Sequence, residues 1–277
     1  MPDIRWYELG DGAGMPWIQF GPDAGTPVLI VPGLTDGLGP VSEPSVAARI
    51  QPPPRAWDQL RVIVVSHRHP IPRRTTTRAL AADLADFCDG VLGAAPELIA
   101  AHSMGAMITM LLAFERPDLA RRLVLSAPVA TPDEAFVAHI RGWADLVIAG
   151  DWVGFAREAC ETAYTGAERD QQLAAIDVVG PPAATHLADR HLALTDVALG
   201  HDATDVLPNV DAPTLVMGGS DDPVVSPAAV QRVAELLPNA ELQWFPGLAH
   251  GFPEQGRSAY QQALRTFLAG TPVAARS

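Results

Sequence analysis

The sequence of 277 residues contains few cysteines and no long hydrophobic run. Its two cysteines, Cys88 and Cys160, are too few for a disulfide framework or a four-thiolate zinc site, which favours a reducing compartment. No apolar stretch approaches the ~18 residues of a membrane-spanning helix. The first residues also lack the basic start and the apolar run of a signal peptide. We therefore expect a soluble, cytoplasmic protein.

Basic residues are also scarce, since 19 of them stand against 32 acidic ones and the formal net charge is −13. Such a negative field repels phosphate backbones and anionic lipid surfaces, so we expect no nucleic-acid and no membrane partner. The partner we expect is a small-molecule substrate, and a homo-oligomer remains open. With 48% hydrophobic and 18% charged residues, the composition excludes extensive disorder and fits a compact domain.

Short apolar runs that end in Gly, Pro or Ser alternate with amphipathic segments along much of the chain. This alternation is typical of a parallel sheet with crossover helices. The runs are mostly continuous, as in strands that are buried on both faces. They lie at residues 27–31, 61–65, 97–101, 122–125, 213–217 and 241–245. We predict an α/β fold with a mostly parallel central sheet and helices on both faces, preceded by a hairpin at residues 4–9 and 15–20 that lies antiparallel at the sheet edge.

No strand-like apolar runs occur from Thr131 to about Pro208. In this interval the apolar residues have helical spacing. We therefore predict one α/β core domain, formed by residues 1–130 and 209–277, and an inserted helical lid at residues 131–208. Several aromatic residues of this insertion are candidates to line an apolar acyl pocket, although packing of the lid on the core would explain them equally well. They are Trp143, Trp152, Phe155 and Tyr164.

One serine lies where a predicted strand turns into a predicted helix. The pentapeptide Ala101-His102-Ser103-Met104-Gly105 ends the strand and begins an amphipathic segment. A serine at such a turn is held above the sheet at a helix N-terminus, where the next backbone N–H can stabilise an oxyanion. The alternative is a buried serine in an ordinary turn, with His102 packed beside it.

A nucleophilic serine needs a base, and the base needs an acid to orient it. Asp222 lies just past a predicted buried strand, where the active sites of open parallel sheets are found. His250 follows the next strand. Along the chain, the nucleophile Ser103 comes first, then the acid Asp222, then the base His250, and this order is characteristic of one fold. Asp221 is the alternative acid.

These motifs together resemble the α/β-hydrolase superfamily over most of the chain, from about Pro27 to Leu268. Members of that superfamily commonly place the acid three residues after a glycine, and Gly219 therefore favours Asp222 over Asp221. The resemblance implies a serine hydrolase with a helical lid.

The resemblance also implies an oxyanion loop after the first central strand, commonly His-Gly-x. This sequence has Pro32-Gly33-Leu34 at that place, with proline where histidine is usual. By this correspondence, the backbone N–H groups of Leu34 and Met104 form the oxyanion hole.

The segment His67-Arg68-His69 follows a predicted strand, which places it near the cleft rim. His67 and Arg68 are candidates to contact substrate, although a solvated loop explains them as well. We expect no metal site, because zinc needs three or more convergent ligands and no suitable cluster follows. No cofactor is expected either.

The leading function is a carboxylesterase- or lactonase-like hydrolase that cleaves a small or medium ester, lactone or thioester through an acyl-enzyme on Ser103. Three alternatives stay open: a carbon–carbon bond hydrolase or lyase with the same triad, a non-catalytic ligand-binding member of the fold, and a lid-mediated interaction module. Dehalogenase and epoxide-hydrolase chemistry is excluded because it needs a carboxylate at the position of Ser103.

Overall fold

The computed structural model describes residues 3–48, 50, 57, 59–180 and 184–270. The predicted domain ranges also include residues 1–2, 49, 51–56, 58, 181–183 and 271–277, which lie outside the described residues. Within the described part, eight strands form one sheet in the order β1-β2-β4-β3-β5-β6-β7-β8. Their bounds are β1 Arg5–Glu8, β2 Gly14–Phe20, β3 Thr26–Val31, β4 Leu60–Val65, β5 Leu98–His102, β6 Leu123–Ser126, β7 Thr214–Gly219 and β8 Ala240–Phe245.

The sheet is parallel from β4 through β8, and its first two strands are antiparallel. The predicted hairpin is confirmed at that edge, because β1 pairs with β2 and β2 pairs with β4 in antiparallel register. Every residue of β6 and β7 is buried. Because side chains alternate between the two faces of a strand, this burial shows that both faces of the central sheet are covered.

Ten α-helices lie in the described residues, and several begin at caps that the sequence encodes. Their bounds are α1 Pro44–Ala47, α2 Thr77–Phe87, α3 Met104–Glu115, α4 Glu134–Ala149, α5 Trp152–Ala163, α6 Gly166–Val179, α7 Ala188–Leu199, α8 Pro227–Leu236, α9 Phe252–Gln255 and α10 Arg257–Leu268. The Thr76 side chain accepts from the Ala79 N–H at the start of α2. Ser226 accepts from the Ala229 N–H at the start of α8, with Pro227 in the first turn. Both caps satisfy N–H groups that the helix itself leaves free.

Helices α4 to α7 fill the interval between β6 and β7, where the sequence predicts the lid. Helix α4 packs on α5 and α7, and α7 packs against the 3₁₀ turn Leu34–Gly37 that follows β3. The two ends of this interval meet, since the Ala203 N–H donates to the Ala130 carbonyl over 2.8 Å. The division into core and lid at residues 131–208 stays a prediction. Among the described residues, no helix combines the length and the apolar character needed to cross a bilayer.

Candidate active site

Ser103 lies in the sharp turn between β5 and α3. Its backbone has φ 53° and ψ −121°, a left-handed conformation that is uncommon for a residue other than glycine, so the turn stores strain. The Ser103 N–H donates to the Ser126 carbonyl over 2.8 Å, which anchors the turn to β6. A Cβ atom on Gly105 would lie 2.5 Å from the carbonyl oxygens of Val31 and Pro32, so only glycine fits where the helix passes the neighbouring loop.

The structure brings Ser103, His250 and Asp222 within hydrogen-bonding distance of one another. His250 Nε2 lies 3.1 Å from Ser103 Oγ, and His250 Nδ1 lies 2.8 Å from Asp222 Oδ2. Asp221 faces elsewhere, because its Oδ1 accepts from the Ser220 hydroxyl at an exposed position. Three side chains separated by up to 147 positions therefore meet in the geometry of a nucleophile, a base and an orienting acid.

Asp222 is held as a carboxylate by its surroundings. Its side chain is fully buried, and its Oδ1 accepts from the N–H groups of Val224 and Val225 over 2.8 and 2.9 Å. Burial by itself raises the pKa of Asp222, but His250 and the two N–H groups outweigh burial and hold the pKa below its usual value. An ionised Asp222 can fix the Nδ1–H tautomer of His250 and stabilise an imidazolium.

The loop that carries His250 is attached to the C-terminal end of α5. The His250 N–H donates to the Thr162 carbonyl over 3.1 Å, and the Gly251 N–H donates to the Ala163 carbonyl over 2.8 Å. A helix from the predicted lid thus helps to hold the base over the nucleophile.

His102, beside the nucleophile in sequence, packs against the base instead of bonding to it. The two imidazole rings have centroids 4.8 Å apart, and His102 Nδ1 is buried with no hydrogen-bond partner in the described part of the chain. Burial, together with His250 and against the opposing effect of Asp222, lowers the pKa of His102 to about 3. His102 is therefore neutral at pH 7 and places no second positive charge beside the base.

Leu34 and Met104 are the first residues of the 3₁₀ turn and of α3, respectively. The N–H groups at the start of a helix have no partner within it, and neither of these two has a hydrogen-bond partner among the described residues. A Cβ atom on Gly33 would lie 3.1 Å from Ser103 Cβ, so the loop runs directly beside the nucleophile. An oxyanion hole formed by these two amides stays a prediction, which their lack of partners and the closeness of the loop to Ser103 favour.

A cavity of about 540 Å³ opens over Ser103 and His250. Its lining comes from the turn after β3, from the turn at Ser103, from the loop that carries His250 and from α4, α5 and α6. Most of the lining surface is apolar. Of the four candidate aromatics, Trp143 and Tyr164 line this cavity. Trp152 and Phe155 lie outside the lining; the Phe155 ring packs edge-on against His191 and Trp143, at centroid distances of 5.4 and 6.4 Å.

Neither His67 nor Arg68, the two predicted substrate contacts on the cleft rim, lines this cavity. His67 is buried, and its backbone N–H donates to Asp36 Oδ2 over 3.1 Å. The Arg68 guanidinium forms ion pairs with Asp83, at 3.1 Å, and with Asp11. The three carboxylates that bind His67 and Arg68 come from distant parts of the sequence. Both residues therefore have a structural role here.

Sequence reasoning missed several polar residues of the cavity wall, among them Glu254 and Gln172. The Tyr164 hydroxyl donates to Glu254 Oε2 over 2.6 Å, which joins α5 to α9. The position of Glu254, four residues after His250, was the available signal. No group of three or more metal-ligating side chains occurs in the residues that the structure describes.

The sheet is mostly parallel and has eight strands, and a strained serine lies between β5 and α3. A buried aspartate follows β7, and a histidine follows β8. Together these features define an α/β hydrolase. The comparison with protein families agrees. The chain belongs to the Hydrolase_4 family, described as serine aminopeptidase, S33, whose model matches residues 73–254.

Two named relatives have low sequence identity to this chain but align with most of its length. A putative carbamate hydrolase, RutD, from Caulobacter vibrioides is 26% identical over 285 residues, which covers 96% of this chain and 100% of that protein. The mouse sn-1-specific diacylglycerol lipase ABHD11 is 24% identical over 186 residues, covering 64% of this chain and 61% of the lipase.

Two solved structures share the fold over nearly the whole chain. MGS-M2, an alpha/beta hydrolase enzyme from a Medee basin deep-sea metagenome library, has a TM-score of 0.81 at 18% identity and covers 99% of this chain and 100% of its own. The enol-lactonase from Burkholderia xenovorans LB400 has a TM-score of 0.77 at 16% identity and covers 96% of this chain and 100% of its own. At these identities the likeness shows the fold alone.

Proposed function

We propose that this hydrolase cleaves a small or medium ester, lactone or thioester through an acyl-enzyme on Ser103. One observation carries the proposal. His250 joins Ser103 Oγ, at 3.1 Å, to the buried Asp222 carboxylate, at 2.8 Å. Ser103 and His250 lie on the wall of a cavity of about 540 Å³.

The proposed reaction begins when His250 Nε2 takes the proton of the Ser103 hydroxyl. Ser103 Oγ then attacks the carbonyl carbon, and the backbone N–H groups of Leu34 and Met104 donate to the oxygen that becomes negative. His250 next gives its proton to the leaving oxygen or sulfur as the bond to the acyl group breaks. Water attacks the acyl-enzyme while the same imidazole takes its proton. The imidazolium then gives this proton to Ser103 Oγ as the acyl bond breaks, which releases the acid and restores the serine hydroxyl.

The charges of the cavity wall favour an uncharged acyl group. Among the described residues that line it, Glu254 supplies the sole carboxylate and no arginine is present. An anionic acyl group would therefore meet a like charge and no cationic partner. The apolar surface of Ile176, Trp143 and several alanines suits a hydrocarbon chain.

The names of the relatives are compatible with this substrate class. A carbamate hydrolase, a diacylglycerol lipase and an enol-lactonase are each named for a substrate with an acyl carbonyl bonded to nitrogen or oxygen. We take from them the carbonyl chemistry and no particular substrate.

The test combines an active-site label with turnover. The protein is incubated with a fluorophosphonate, the adduct is mapped by mass spectrometry, and hydrolysis of p-nitrophenyl esters of increasing acyl length is measured. We expect one adduct on Ser103, steady turnover of short esters, and loss of both in Ser103→Ala. The matched control is Ser258→Ala, which removes an exposed hydroxyl on α10 outside the cavity lining.

Several outcomes would contradict the proposal. An adduct at another residue, or full turnover by Ser103→Ala, would remove Ser103 as the nucleophile. Inertness towards esters together with cleavage of vinylogous diketones would favour carbon–carbon bond hydrolysis. Ligand-induced thermal stabilisation without product would favour a binding protein.

A further inference from the structure

Arg190 reaches from helix α7 to the loop that carries the proposed oxyanion amide. Its Nη2 lies 2.6 Å from Asp36 Oδ2, and the two side chains are only 4% and 2% exposed. The same Asp36 oxygen accepts the His67 N–H over 3.1 Å. The carboxylate therefore has two donors, one from α7 and one from the end of β4.

The rest of the Arg190 guanidinium binds backbone carbonyl groups. Nη2 donates to the His67 carbonyl over 2.9 Å, Nε donates to the Asp36 carbonyl over 3.3 Å, and Nη1 donates to the Arg68 carbonyl. One planar fork thus joins three segments that are distant in sequence, namely α7, the turn after β3 and the loop after β4. Lysine cannot reproduce this pattern, because its ammonium is a single point charge.

Asp36 belongs to the short 3₁₀ turn that begins at Leu34. Its N–H donates to the Gly33 carbonyl over 3.2 Å, which closes the turn around the Leu34 amide. Helix α7 also lies directly against this turn, since a Cβ atom on Gly37 would stand 2.8 Å from His191 Cα. A shift of Asp36 would therefore move the Leu34 N–H with it.

The two residues that precede Leu34 offer no polar side chain to hold the loop in this position. Pro32 has neither a backbone N–H nor a polar side chain with which to anchor the turn, and Gly33 has no side chain. A buried ion pair is costly to desolvate and seldom adds net stability, even when its hydrogen bonds are satisfied. A geometric role accounts for a pair whose donors join α7 to both the turn after β3 and the loop after β4.

We propose that Arg190 is a positioning residue, which acts through Asp36 to hold the Leu34 N–H at the oxyanion site beside Ser103. The inference rests on the proposed acyl-enzyme mechanism. It makes helix α7 part of the catalytic geometry, although Arg190 itself does not line the cavity.

The test compares Arg190→Lys and Asp36→Asn with Leu194→Ala, a control on the same helix that removes a buried apolar side chain and leaves the ion pair intact. The first readout is the rate of fluorophosphonate labelling of Ser103, which needs no knowledge of the substrate. The second is kcat and KM for a p-nitrophenyl ester, and the third is backbone amide exchange over residues 33–38.

We expect Arg190→Lys and Asp36→Asn to slow labelling and lower kcat by about 10- to 100-fold, with KM changed by less than about threefold, because the lost interaction acts on the oxyanion and not on the bound ester. Amide exchange over residues 33–38 becomes faster in both variants. Leu194→Ala lowers the melting temperature while its labelling rate stays within about threefold of the parent protein.

The outcomes separate the two proposals. If the parent protein is labelled on Ser103 and both polar variants are labelled at the same rate as Leu194→Ala, the positioning role is overturned and the proposed function stands. If both polar variants lose activity only in proportion to their melting temperature, as the control does, the role is also overturned. If Ser103 of the parent protein takes no label, the proposed function fails and this inference fails with it.

Discussion

Gly33 leaves open the space beside Ser103 that any larger residue would enter, because a Cβ atom on Gly33 would lie 3.1 Å from Ser103 Cβ and 3.7 Å from Ser103 Oγ. The backbone of Gly33 has φ −83°, a conformation that other residues adopt freely. The requirement for glycine is therefore one of space next to the nucleophile and not of backbone strain.

Gly33→Ala should lower kcat by about tenfold or more, since displacements of well under 1 Å already matter for reacting groups. The matched control is Gly142→Ala, at an exposed helical position where a Cβ atom would meet nothing within 4 Å. That control should retain full activity and gain about 0.5–1 kcal/mol in free energy of unfolding. Equal kcat values in the two variants would contradict the prediction.

Asp222→Asn should lower kcat by about 10⁴-fold, because an amide in place of the carboxylate favours the wrong tautomer of His250. Asp221→Asn is the control, since that side chain bonds to Ser220 and does not face the histidine. Steady-state kinetics of both variants decides between the two acids. A large loss in Asp221→Asn would mean that the acid had been misassigned.

Glu254→Gln should raise kcat/KM for a p-nitrophenyl hemisuccinate relative to the butyrate ester several-fold, since it removes the carboxylate that repels an anionic acyl group. The difference in activation free energy between the two esters should change by about 1 kcal/mol, as expected when one charge is removed in a solvated setting. The control is Glu161→Gln on α5, at an exposed position outside the cavity lining. An unchanged ratio, or the same ratio in the control, argues against a role of Glu254 in selectivity.

Ala159→Leu should shift the preference towards shorter acyl chains, because Ala159 lines the cavity and extra methyl groups there occupy space that a longer acyl chain needs. Each excluded methylene is worth roughly 1 kcal/mol of binding, or about fivefold in kcat/KM. The series from acetate to decanoate measures this shift. The exposed Ala167→Leu serves as the control, and a parallel chain-length profile in both variants would speak against the assigned cavity.

Stability should fall as the pH decreases below 6.5, because several histidines are neutral and buried in the folded protein. Burial lowers the pKa of His191 and of His201 from 6.5 to about 4, and that of His102 to about 3. Between pH 6.5 and about 4 the unfolded chain binds protons that the folded chain does not, so each of these groups removes up to ~1.4 kcal/mol of unfolding free energy per pH unit.

Urea unfolding at pH 7, 6 and 5 measures this dependence, and the midpoint should decrease at each step. His201→Gln should make the decrease less steep, because Gln has no proton to gain and can still bond to the Thr77 hydroxyl that His201 Nδ1 contacts over 3.0 Å. A midpoint that is constant from pH 7 to pH 5 would rule out the titration of buried histidines as the cause.

The strands and the order of the motifs could be predicted because they depend on local sequence. Continuous apolar runs identified β3 to β8, and the Gly-rich turn between two such segments identified the antiparallel edge hairpin. The pentapeptide around Ser103 and the two loop residues Asp222 and His250 were recognisable for the same reason, since each lies at or after the end of a strand. Parallel strands bring the loops at their carboxyl ends to one edge of the sheet.

Long-range pairing was beyond local patterns, and it decided which polar residues belong to the site. Arg190 and Asp36 are separated by 154 positions, and no spacing rule connects them. His67 and Arg68 follow a strand as site residues do, yet Asp36, Asp83 and Asp11 engage them. Local sequence set the strands, the turn at Ser103 and the chain order of the triad, because those follow from neighbouring residues. Only the tertiary structure decided the walls of the cavity and the contact of Arg190 with Asp36, because both join side chains from helices and loops that are distant in sequence.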